Sequence, residues 1–241
     1  MSPSRLLLTR PRAQSEALAA LLQPMGIESL IEPLLDIRFL AADLDFAGIQ
    51  AVLVTSSNGL RALAAASARR DLPLYAVGPG TAAAAAAAGF SEVASAEGDS
   101  DDLAALARAR LDPAKGALLH VAGTAVAGEL DRRLRDAGFV FLRKTLYEAR
   151  PAPALSPACR EALKAGALDG VVFFSPRTGT TFVRLAAAEG LAAACARLTA
   201  FCLSAAVRER VIGLPWRAVA VAAAPRQAAL LELLQREVRR R

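Results

Sequence analysis

Residues 51–59 read AVLVTSSNG, a continuous apolar run that ends in a short hydroxyl-rich turn. A strand that is buried on both faces shows such an unbroken run, as in the middle of a parallel sheet. Residues 170–179, GVVFFSPRTG, repeat the pattern, and in both copies a helix bearing an arginine follows the turn. Because open α/β sheets bind ligands at the carboxyl ends of their strands, the two copies predict two similar lobes with a ligand between them.

Strands and helices alternate along the rest of the chain. Apolar residues at helical spacing, with proline, glycine or a capping residue at the ends, mark the helices that follow the strands. The predicted helices include Gly59–Ala68, Thr81–Ala88, Asp99–Arg110, Ala127–Ala137, Thr180–Ala188, Ser204–Ile212 and Pro225–Arg240. This alternation predicts an α/β protein with mostly parallel sheets in both lobes.

Two extended stretches differ from the other predicted strands and predict how the lobes are connected. Residues 34–42 alternate loosely around Asp36 and Arg38, and residues 139–153 run on into a proline-rich segment. We expect these stretches to cross side by side, so that the second lobe is inserted within the first. The predicted first lobe comprises residues 1–38 and 153–241, the inserted lobe comprises residues 44–143, and residues 39–43 and 144–152 form the linker strands.

The composition favours a folded protein, because 54% of the 241 residues are hydrophobic. No stretch reaches the roughly 18 uninterrupted apolar residues that a membrane-spanning helix needs. The first residues also lack the apolar segment of a signal peptide. We therefore expect a cytoplasmic protein that does not bind a membrane.

The charge of the chain favours an anionic small molecule over a nucleic acid. The net charge is +6, and part of it comes from Arg236 and residues 239–241 at the end of the last predicted helix. The other basic residues are dispersed, without the basic stripe and recognisable module that nucleic-acid binding usually requires. An excess of positive charge also attracts acidic small molecules. The sequence thus predicts no nucleic-acid partner.

The few cysteines and the single histidine argue against a metal site. Cys159, Cys195 and Cys202 are scattered and form no CxxC pair, which indicates buried, reduced thiols. His120 is the only histidine, and we interpret it as a partly buried residue at the end of a strand. Without a Cys/His cluster, no metal is expected.

Small and hydroxyl-bearing residues follow six of the predicted strands. Helix N-termini at such turns leave backbone N–H groups free for an anion, although each turn taken singly could simply cap its helix. The six turns are Thr9-Arg10-Pro11, Thr55-Ser56-Ser57-Asn58, Gly78-Pro79-Gly80-Thr81, Ala122-Gly123-Thr124, Ser175-Pro176-Arg177-Thr178 and Leu203-Ser204. Facing one cleft, they would form an anion-binding site.

Tyr147 is the candidate catalytic residue. It is one of only two tyrosines and lies on the second crossing stretch, hence near the mouth of the predicted cleft. A phenol there could give a proton to a leaving group. The alternative is a tyrosine that packs against the linker and keeps its hydroxyl in water.

The ordered set of motifs resembles the uroporphyrinogen-III synthase family over nearly the whole chain. The motifs that carry the resemblance are Leu8-Thr9-Arg10-Pro11, Val54-Thr55-Ser56-Ser57-Asn58-Gly59, Ala76-Val77-Gly78-Pro79-Gly80-Thr81-Ala82, Leu146-Tyr147-Glu148 and Phe173-Phe174-Ser175-Pro176-Arg177-Thr178-Gly179. The resemblance implies two flavodoxin-like parallel-sheet lobes joined by a two-stranded linker, with the second lobe inserted in the first. It also implies a monomer without metal or organic cofactor.

The reaction that the resemblance implies is the cyclisation of hydroxymethylbilane, a linear tetrapyrrole with eight carboxylates. The terminal hydroxyl leaves as water, ring D is inverted through a spiro intermediate, and the macrocycle closes as the type III isomer of haem biosynthesis. Without the enzyme, the substrate closes to type I. A transient contact with the preceding enzyme of the pathway stays open, since the substrate is unstable.

The resemblance also assigns roles to residues of this chain. Tyr147 matches the favoured helper for departure of the hydroxyl, and Thr81 matches a residue of the cleft. The residues that match or belong to the substrate-facing turns are Thr9, Arg10, Ser56, Ser57, Asn58, Gly123, Ser175, Arg177 and Ser204.

Two turns depart from the family pattern. The turn Leu203-Ser204-Ala205-Ala206, after the predicted strand Leu198–Leu203, lacks a Gly-x-Thr-like sequence, so that Ser204 would have to supply its hydroxyl. The turn at Ala122-Gly123 lacks an arginine, which leaves only backbone contact at Gly123.

A protein without chemistry is the alternative from another class. A two-lobed binding protein that closes on an anionic metabolite would use the same turns, but it would need no phenol at position 147. The synthase hypothesis and the binding-protein hypothesis therefore differ in the role that they assign to Tyr147.

Overall fold

The chain builds part of one α/β lobe, completes a second, and then returns to finish the first. A computed structural model describes residues 4–125 and 129–239. Their contacts divide the chain into a first lobe, up to Asp36 and from Arg150 onward, and an inserted lobe, Ile37–Ala149. Among the described helices, none combines the length and the apolar character that a membrane crossing requires.

The first part of the chain begins the first lobe with a strand–helix–strand unit and then leaves it along a connecting strand. These elements are β1 (Ser4–Leu8), α1 (Arg12–Leu22), β2 (Ile27–Ile31) and β3 (Leu35–Phe39). β1 and β2 pair in parallel, with Leu7 opposite Leu30.

The inserted lobe continues the alternation. Its elements are β4 (Ile49–Val54), α2 (Ser57–Ala66), β5 (Leu74–Ala76), α3 (Pro79–Ala87), β6 (Val93–Ser95), α4 (Ser100–Arg110), β7 (Ala117–Gly123), α5 (Leu130–Asp136) and β8 (Phe141–Pro151). They form a six-stranded sheet in the order β3-β8-β7-β4-β5-β6. Strand β4 is buried and pairs in parallel with β5 and β7.

The returning chain completes the first lobe. Its elements are α6 (Pro157–Lys164), β9 (Gly170–Phe173), α7 (Pro176–Ala188), β10 (Thr199–Cys202), α8 (Ala205–Val211), β11 (Ala218–Val221) and α9 (Gln227–Arg239). The five-stranded sheet has the order β11-β10-β9-β1-β2. Strands β1 and β9 are neighbours and run parallel, although they come from opposite ends of the chain.

Both quoted apolar runs are strands buried on two faces, as predicted. In β9, Val171 and Phe173 pack into the hydrophobic cluster on one side of the sheet. Val172, between them, packs into the cluster on the other side. The continuous apolar sequence follows from this, because side chains alternate along a strand and helices cover both faces.

The two connecting strands lie side by side, which confirms the predicted crossing. Strands β3 and β8 are neighbours in the sheet. The N–H of Leu40 donates to the carbonyl of Leu146 at 2.8 Å, and the N–H of Ala152 donates to the carbonyl of Leu34 at 3.0 Å. Because the partner residue numbers on the β8 side fall from 152 to 146 as those on the β3 side rise from 34 to 40, the two strands run antiparallel.

Several helices begin or end at other residues than predicted. Helix α2 begins at Ser57 and not at Gly59, and α7 begins at Pro176 and not at Thr180. Ser57, Asn58 and Pro176 are predicted to belong to the turns, but Ser57 directly follows the capping residue Ser56, and proline fits the first turn of a helix. Residue 127, the predicted start of α5, and residue 240, the predicted end of α9, lie outside the described residues.

Candidate functional site

Ser56 and Tyr147 meet in the inserted lobe. Ser56 follows β4 in an extended conformation and caps α2, because its Oγ accepts a hydrogen bond from the N–H of Gly59 at 3.1 Å. The same Oγ lies 3.0 Å from the hydroxyl of Tyr147, 91 residues further along the chain. The predicted catalytic tyrosine and a predicted substrate-binding serine are therefore in hydrogen-bond contact.

Gly123 lets the Tyr147 ring reach Ser56. Strand β7 lies between β8, which carries Tyr147, and β4, which leads to Ser56. A Cβ atom at position 123 would lie 2.8 Å from both Cε2 and Cζ of the Tyr147 ring and 3.1 Å from its hydroxyl oxygen. Glycine is therefore required because the ring packs directly against its backbone.

A bulge in β8 aims Tyr147 at this position. Ala122 pairs with Thr145, but the next residue, Gly123, pairs with Tyr147, so that Leu146 is an extra residue in the ladder. An extra residue twists a strand locally and redirects the side chain that follows, and such bulges are common beside active sites. Leu146 itself is fully buried, which anchors the bulge.

Arg143 stabilises the same turn, although no motif in the sequence marks it as a site residue. Its guanidinium donates to the carbonyl of Gly123 and, at 3.2 Å, to the hydroxyl of Thr145. Arg143 and Gly123 are 20 residues apart and belong to neighbouring strands. No local pattern links them, so that only the strand pairing could have predicted the contact.

His120 is a structural residue of the inserted lobe. It is partly buried, as predicted, but lies inside β7, which runs on to Gly123. Its ring packs 5.6 Å from that of Phe141, and Nε2 lies 3.4 Å from the Thr55 hydroxyl. Burial, with a smaller contribution from the nearby charge of Arg143, lowers the pKa of His120 to about 4. The imidazole is therefore neutral at pH 7 and does not supply a proton.

Thr9 directly follows β1 in the first lobe and is buried. Its side chain is only 1% exposed, and its hydroxyl donates to the carbonyl of Val172 at 2.7 Å. This bond fixes the carboxyl end of β1 against β9. The predicted substrate contact of Thr9 does not fit this burial, because the hydroxyl is both covered and already paired.

Arg10 is a partly buried cation with neutral partners. Its guanidinium lies 4.2 Å from the centroid of the Phe174 ring. It donates to the side-chain oxygens of Gln14 and Gln227, both at 3.0 Å. Among residues 4–125 and 129–239, no carboxylate forms an ion pair with it, and burial lowers its pKa. A desolvated cation without a counter-ion favours an incoming anion.

Two of the other hydroxyl turns cap their helices through a serine side chain. Ser175 accepts from the N–H of Thr178 at 3.2 Å and lies 3.1 Å from the hydroxyl of the same residue. Ser204 accepts from the N–H of Val207 at 3.4 Å. These caps leave the role of the turns open, since a hydroxyl that accepts one bond can still meet a ligand.

The remaining predicted residues lie at the starts of helices. Ser57 and Asn58 are the first two residues of α2 and are partly buried. Arg177, the second residue of α7, is exposed. Thr81 is the third residue of α3 and is 9% exposed, while Gly78 caps that helix without a side chain.

The cysteines do not form part of a reactive site. All three lie buried in the first lobe as free thiols. Burial raises the pKa of Cys195 to about 11 and that of Cys202 to about 12, and it also raises the pKa of Cys159. Within the described residues, no group of three His, Cys, Asp or Glu side chains could hold a metal ion.

The topology defines a class of protein: two parallel-sheet α/β lobes, one inserted in the other, joined by an antiparallel pair of strands. A family model described as "Uroporphyrinogen-III synthase HemD" matches residues 16–232. The chain belongs to the uroporphyrinogen-III synthase family. A search of curated protein sequences gave no match.

Solved structures of similar fold extend over both lobes. The uroporphyrinogen-III synthetase of Helicobacter pylori 26695 is 17% identical, with a TM-score of 0.65 over 97% of this chain and 99% of that chain. A mutant uroporphyrinogen III synthase of the extremely thermophilic bacterium Thermus thermophilus is 19% identical, with a TM-score of 0.59 over 99% of this chain and 100% of that chain. At these identities the likeness supports the fold, and the two-lobed prediction is confirmed.

Proposed function

We propose that this chain is a uroporphyrinogen-III synthase that cyclises hydroxymethylbilane with inversion of ring D and loss of water. The observation that carries the proposal is the Ser56–Tyr147 contact, 3.0 Å long and held over Gly123. It brings the predicted catalytic phenol to a hydroxyl-capped helix N-terminus within one lobe. Departure of a hydroxyl and closure of a ring require a proton donor and a held conformation, and the phenol of Tyr147 supplies the proton donor.

Tyr147 assists the departure of the terminal hydroxyl. The C–O bond of the hydroxymethyl group breaks as the adjoining pyrrole supplies electrons, and a proton from the phenol completes the leaving water. Ser56 accepts from the N–H of Gly59, so that its own proton is free to be donated to the phenol oxygen. The proton of Tyr147 is then available to the leaving group.

The carboxylates of the substrate bind to cations and helix N-termini. Arg10, with its neutral partners, is the strongest single candidate in the first lobe, and Arg177 adds an exposed cation. The partial positive charges at the N-termini of α2, α3, α7 and α8 favour an anion beside Ser57, Asn58, Thr81, Ser175 and Ser204. Gly123 contributes through its backbone. The net charge of +6 suits an acidic substrate.

The protein acts as a cytoplasmic monomer without a cofactor in this proposal. Its partner is the tetrapyrrole substrate, with a transient contact to the enzyme that produces it. A non-catalytic two-lobed binding protein for an anionic metabolite is the alternative, and no observation favours it over the synthase.

Product isomer analysis tests the proposal. Hydroxymethylbilane is generated in place, the purified protein is added, and the oxidised uroporphyrin isomers are separated by chromatography. Mostly type III product is expected. If folded protein gives only type I product, the proposed synthase activity is wrong and the binding-protein hypothesis is favoured.

The substitution Tyr147→Phe tests the role of the phenol. We expect kcat to fall about tenfold or more while KM changes little, because positioned proton donors contribute at least that much. Tyr75→Phe is the matched control, since Tyr75 is the other tyrosine and is buried in β5 of the same lobe. Equal turnover of Tyr147→Phe and Tyr75→Phe would show that the Tyr147 hydroxyl does not take part in the reaction.

A further inference from the structure

Phe39 is an exposed aromatic residue at the end of β3. It is 43% exposed, although it belongs to a strand of the six-stranded sheet. The guanidinium of Arg61, on α2, lies over its ring at 5.8 Å from the centroid. The two residues form an aromatic and cationic pair that is open to solvent in the inserted lobe.

The strand register places this pair beside Tyr147. The bonds from Leu40 to Leu146 and from Ala152 to Leu34 define one continuous antiparallel register. In that register Phe39 lies directly opposite Tyr147, and residues directly opposite each other have side chains on the same face. Arg61 lies one helical turn after Ser57, so that it shares a face of α2 with the N-terminus of that helix.

Similar pairs in the same lobe have clear structural partners, as two of the three show. Arg69 lies 5.4 Å from the Phe46 ring and forms a 2.9 Å ion pair with Asp71. Arg70 lies 4.8 Å from the Phe90 ring, and its guanidinium donates to the carbonyl of Ala88 at 2.9 Å. Within residues 4–125 and 129–239, the guanidinium of Arg61 has neither an ion pair nor a hydrogen bond, and its contact is with the Phe39 ring.

We propose that Phe39 and Arg61 bind one ring of the substrate beside Tyr147. The Phe39 ring packs against a pyrrole, and Arg61 pairs with an acetate or propionate carboxylate on that pyrrole. This inference rests on the proposed synthase function, because it assigns the pair to a carboxylate-bearing aromatic ring. An aromatic face next to an unpaired cation matches both halves of that ligand.

The binding role is distinct from the proton transfer at Tyr147. Phe39 and Arg61 contain no group that donates a proton to a leaving hydroxyl at neutral pH, since guanidinium stays protonated. They act by holding one pyrrole in place, which raises the fraction of bound substrate in the reactive geometry. Loss of the pair should therefore weaken binding more than it lowers kcat.

The substitutions Arg61→Gln and Phe39→Leu test the pair, with Arg69→Gln as the matched control. We expect Arg61→Gln to raise KM about tenfold and Phe39→Leu to raise it severalfold, with smaller changes in kcat. Arg69→Gln also removes an arginine over a phenylalanine, but its charge is already paired with Asp71, and its KM should stay at the wild-type value. Circular dichroism and urea unfolding confirm that each variant is folded.

A direct binding measurement separates this inference from the proposed function. Uroporphyrin III, an octacarboxylate tetrapyrrole, is titrated into wild type and variants, and its binding is followed by quenching of protein fluorescence. Weaker binding by Arg61→Gln than by Arg69→Gln supports the pair, whatever isomer the wild type produces. If the two variants bind and turn over alike while the wild type forms type III product, the pair is not a substrate site and the synthase function still holds.

Discussion

The turn after β4 and the turn after β9 are similar in local structure and differ in what they contact. Ser56 has φ −158° and ψ 153°, Ser175 has φ −146° and ψ 150°, and both cap a helix. The second contact of Ser175 is Thr178, three residues on, whereas that of Ser56 is Tyr147, 91 residues away. The local sequence is thus sufficient for the helix cap in both turns. Only the turn after β4 also contacts a phenol, which comes from the connecting strand β8.

The comparison suggests that the two lobes have different tasks in catalysis. The inserted lobe has the phenol, whose ring packs on Gly123, and Arg143 donates to the carbonyl of that glycine. The first lobe has the cation Arg10, whose guanidinium lies over the Phe174 ring and donates to two glutamine oxygens. We expect proton transfer to depend on the inserted lobe and carboxylate binding to depend on both.

The largest expected effect comes from Gly123→Ala. This substitution would separate the Tyr147 hydroxyl from Ser56 and so remove the contact that distinguishes the turn after β4 from the turn after β9. The added Cβ would lie 2.8 Å from two atoms of the Tyr147 ring, so that the ring must leave Ser56. We expect an activity loss of about 10- to 100-fold and a free energy of unfolding lower by about 1–3 kcal/mol. Turnover and urea unfolding measure the two effects.

The control for this variant is Gly213→Ala. A Cβ at Gly213 would meet no atom within 4 Å, and both activity and stability should stay unchanged. Full activity of Gly123→Ala would contradict the view that the packing of the phenol on glycine matters for the reaction.

A smaller effect is expected from Ser56→Ala, which removes the contact that distinguishes the two turns. Loss of an N-cap costs about 1 kcal/mol of stability. We also expect turnover to fall about tenfold, because Tyr147 loses its neighbour at 3.0 Å. The comparison is Asp99→Ala, which removes the cap of α4 in the same lobe. Equal turnover of the two variants would reduce Ser56 to a structural cap.

The smallest effect at neutral pH is a pH dependence of stability that belongs to the inserted lobe, since the first lobe has no histidine. The unfolded chain binds a proton at His120 below about pH 6.5, but the folded protein does so only near a pKa of about 4. Stability should therefore fall as the pH decreases from about 7 to about 5, by up to about 2 kcal/mol. His120→Gln should remove this slope in urea unfolding followed by circular dichroism. An unchanged slope would mean that the folded protein also protonates His120 in that range.

The fold was largely predictable, because burial and periodicity act locally. Continuous apolar runs and helical spacing identified the strands, the helices and the insertion. The helix starts were less accurate, since Ser56 and Ser175 cap the helices earlier than their glycine and proline neighbours suggested. A capping bond depends on backbone angles that the sequence pattern does not specify.

The candidate site was predictable only in part. Tyr147 stood out because it is rare and lies on a connecting strand, but its position over Gly123 depends on the bulge at Leu146. Arg61 and Phe39 lie on different elements and follow no motif, so that only the folded strand and helix bring them together. Thr9 was assigned to the substrate because of its hydroxyl, and its burial could not be read from the turn.

The pairing of β1 with β9 has a consequence for synthesis on the ribosome. The N–H of Arg5 in β1 donates to a carboxylate oxygen of Asp169, 164 residues later. At about 5–20 residues per second, β1 waits roughly 10–30 s for its partner strand to be made. The inserted lobe is one uninterrupted segment and can fold during that time. The nascent first lobe meanwhile exposes an apolar strand edge, so we expect molecular chaperones to bind the growing chain at β1.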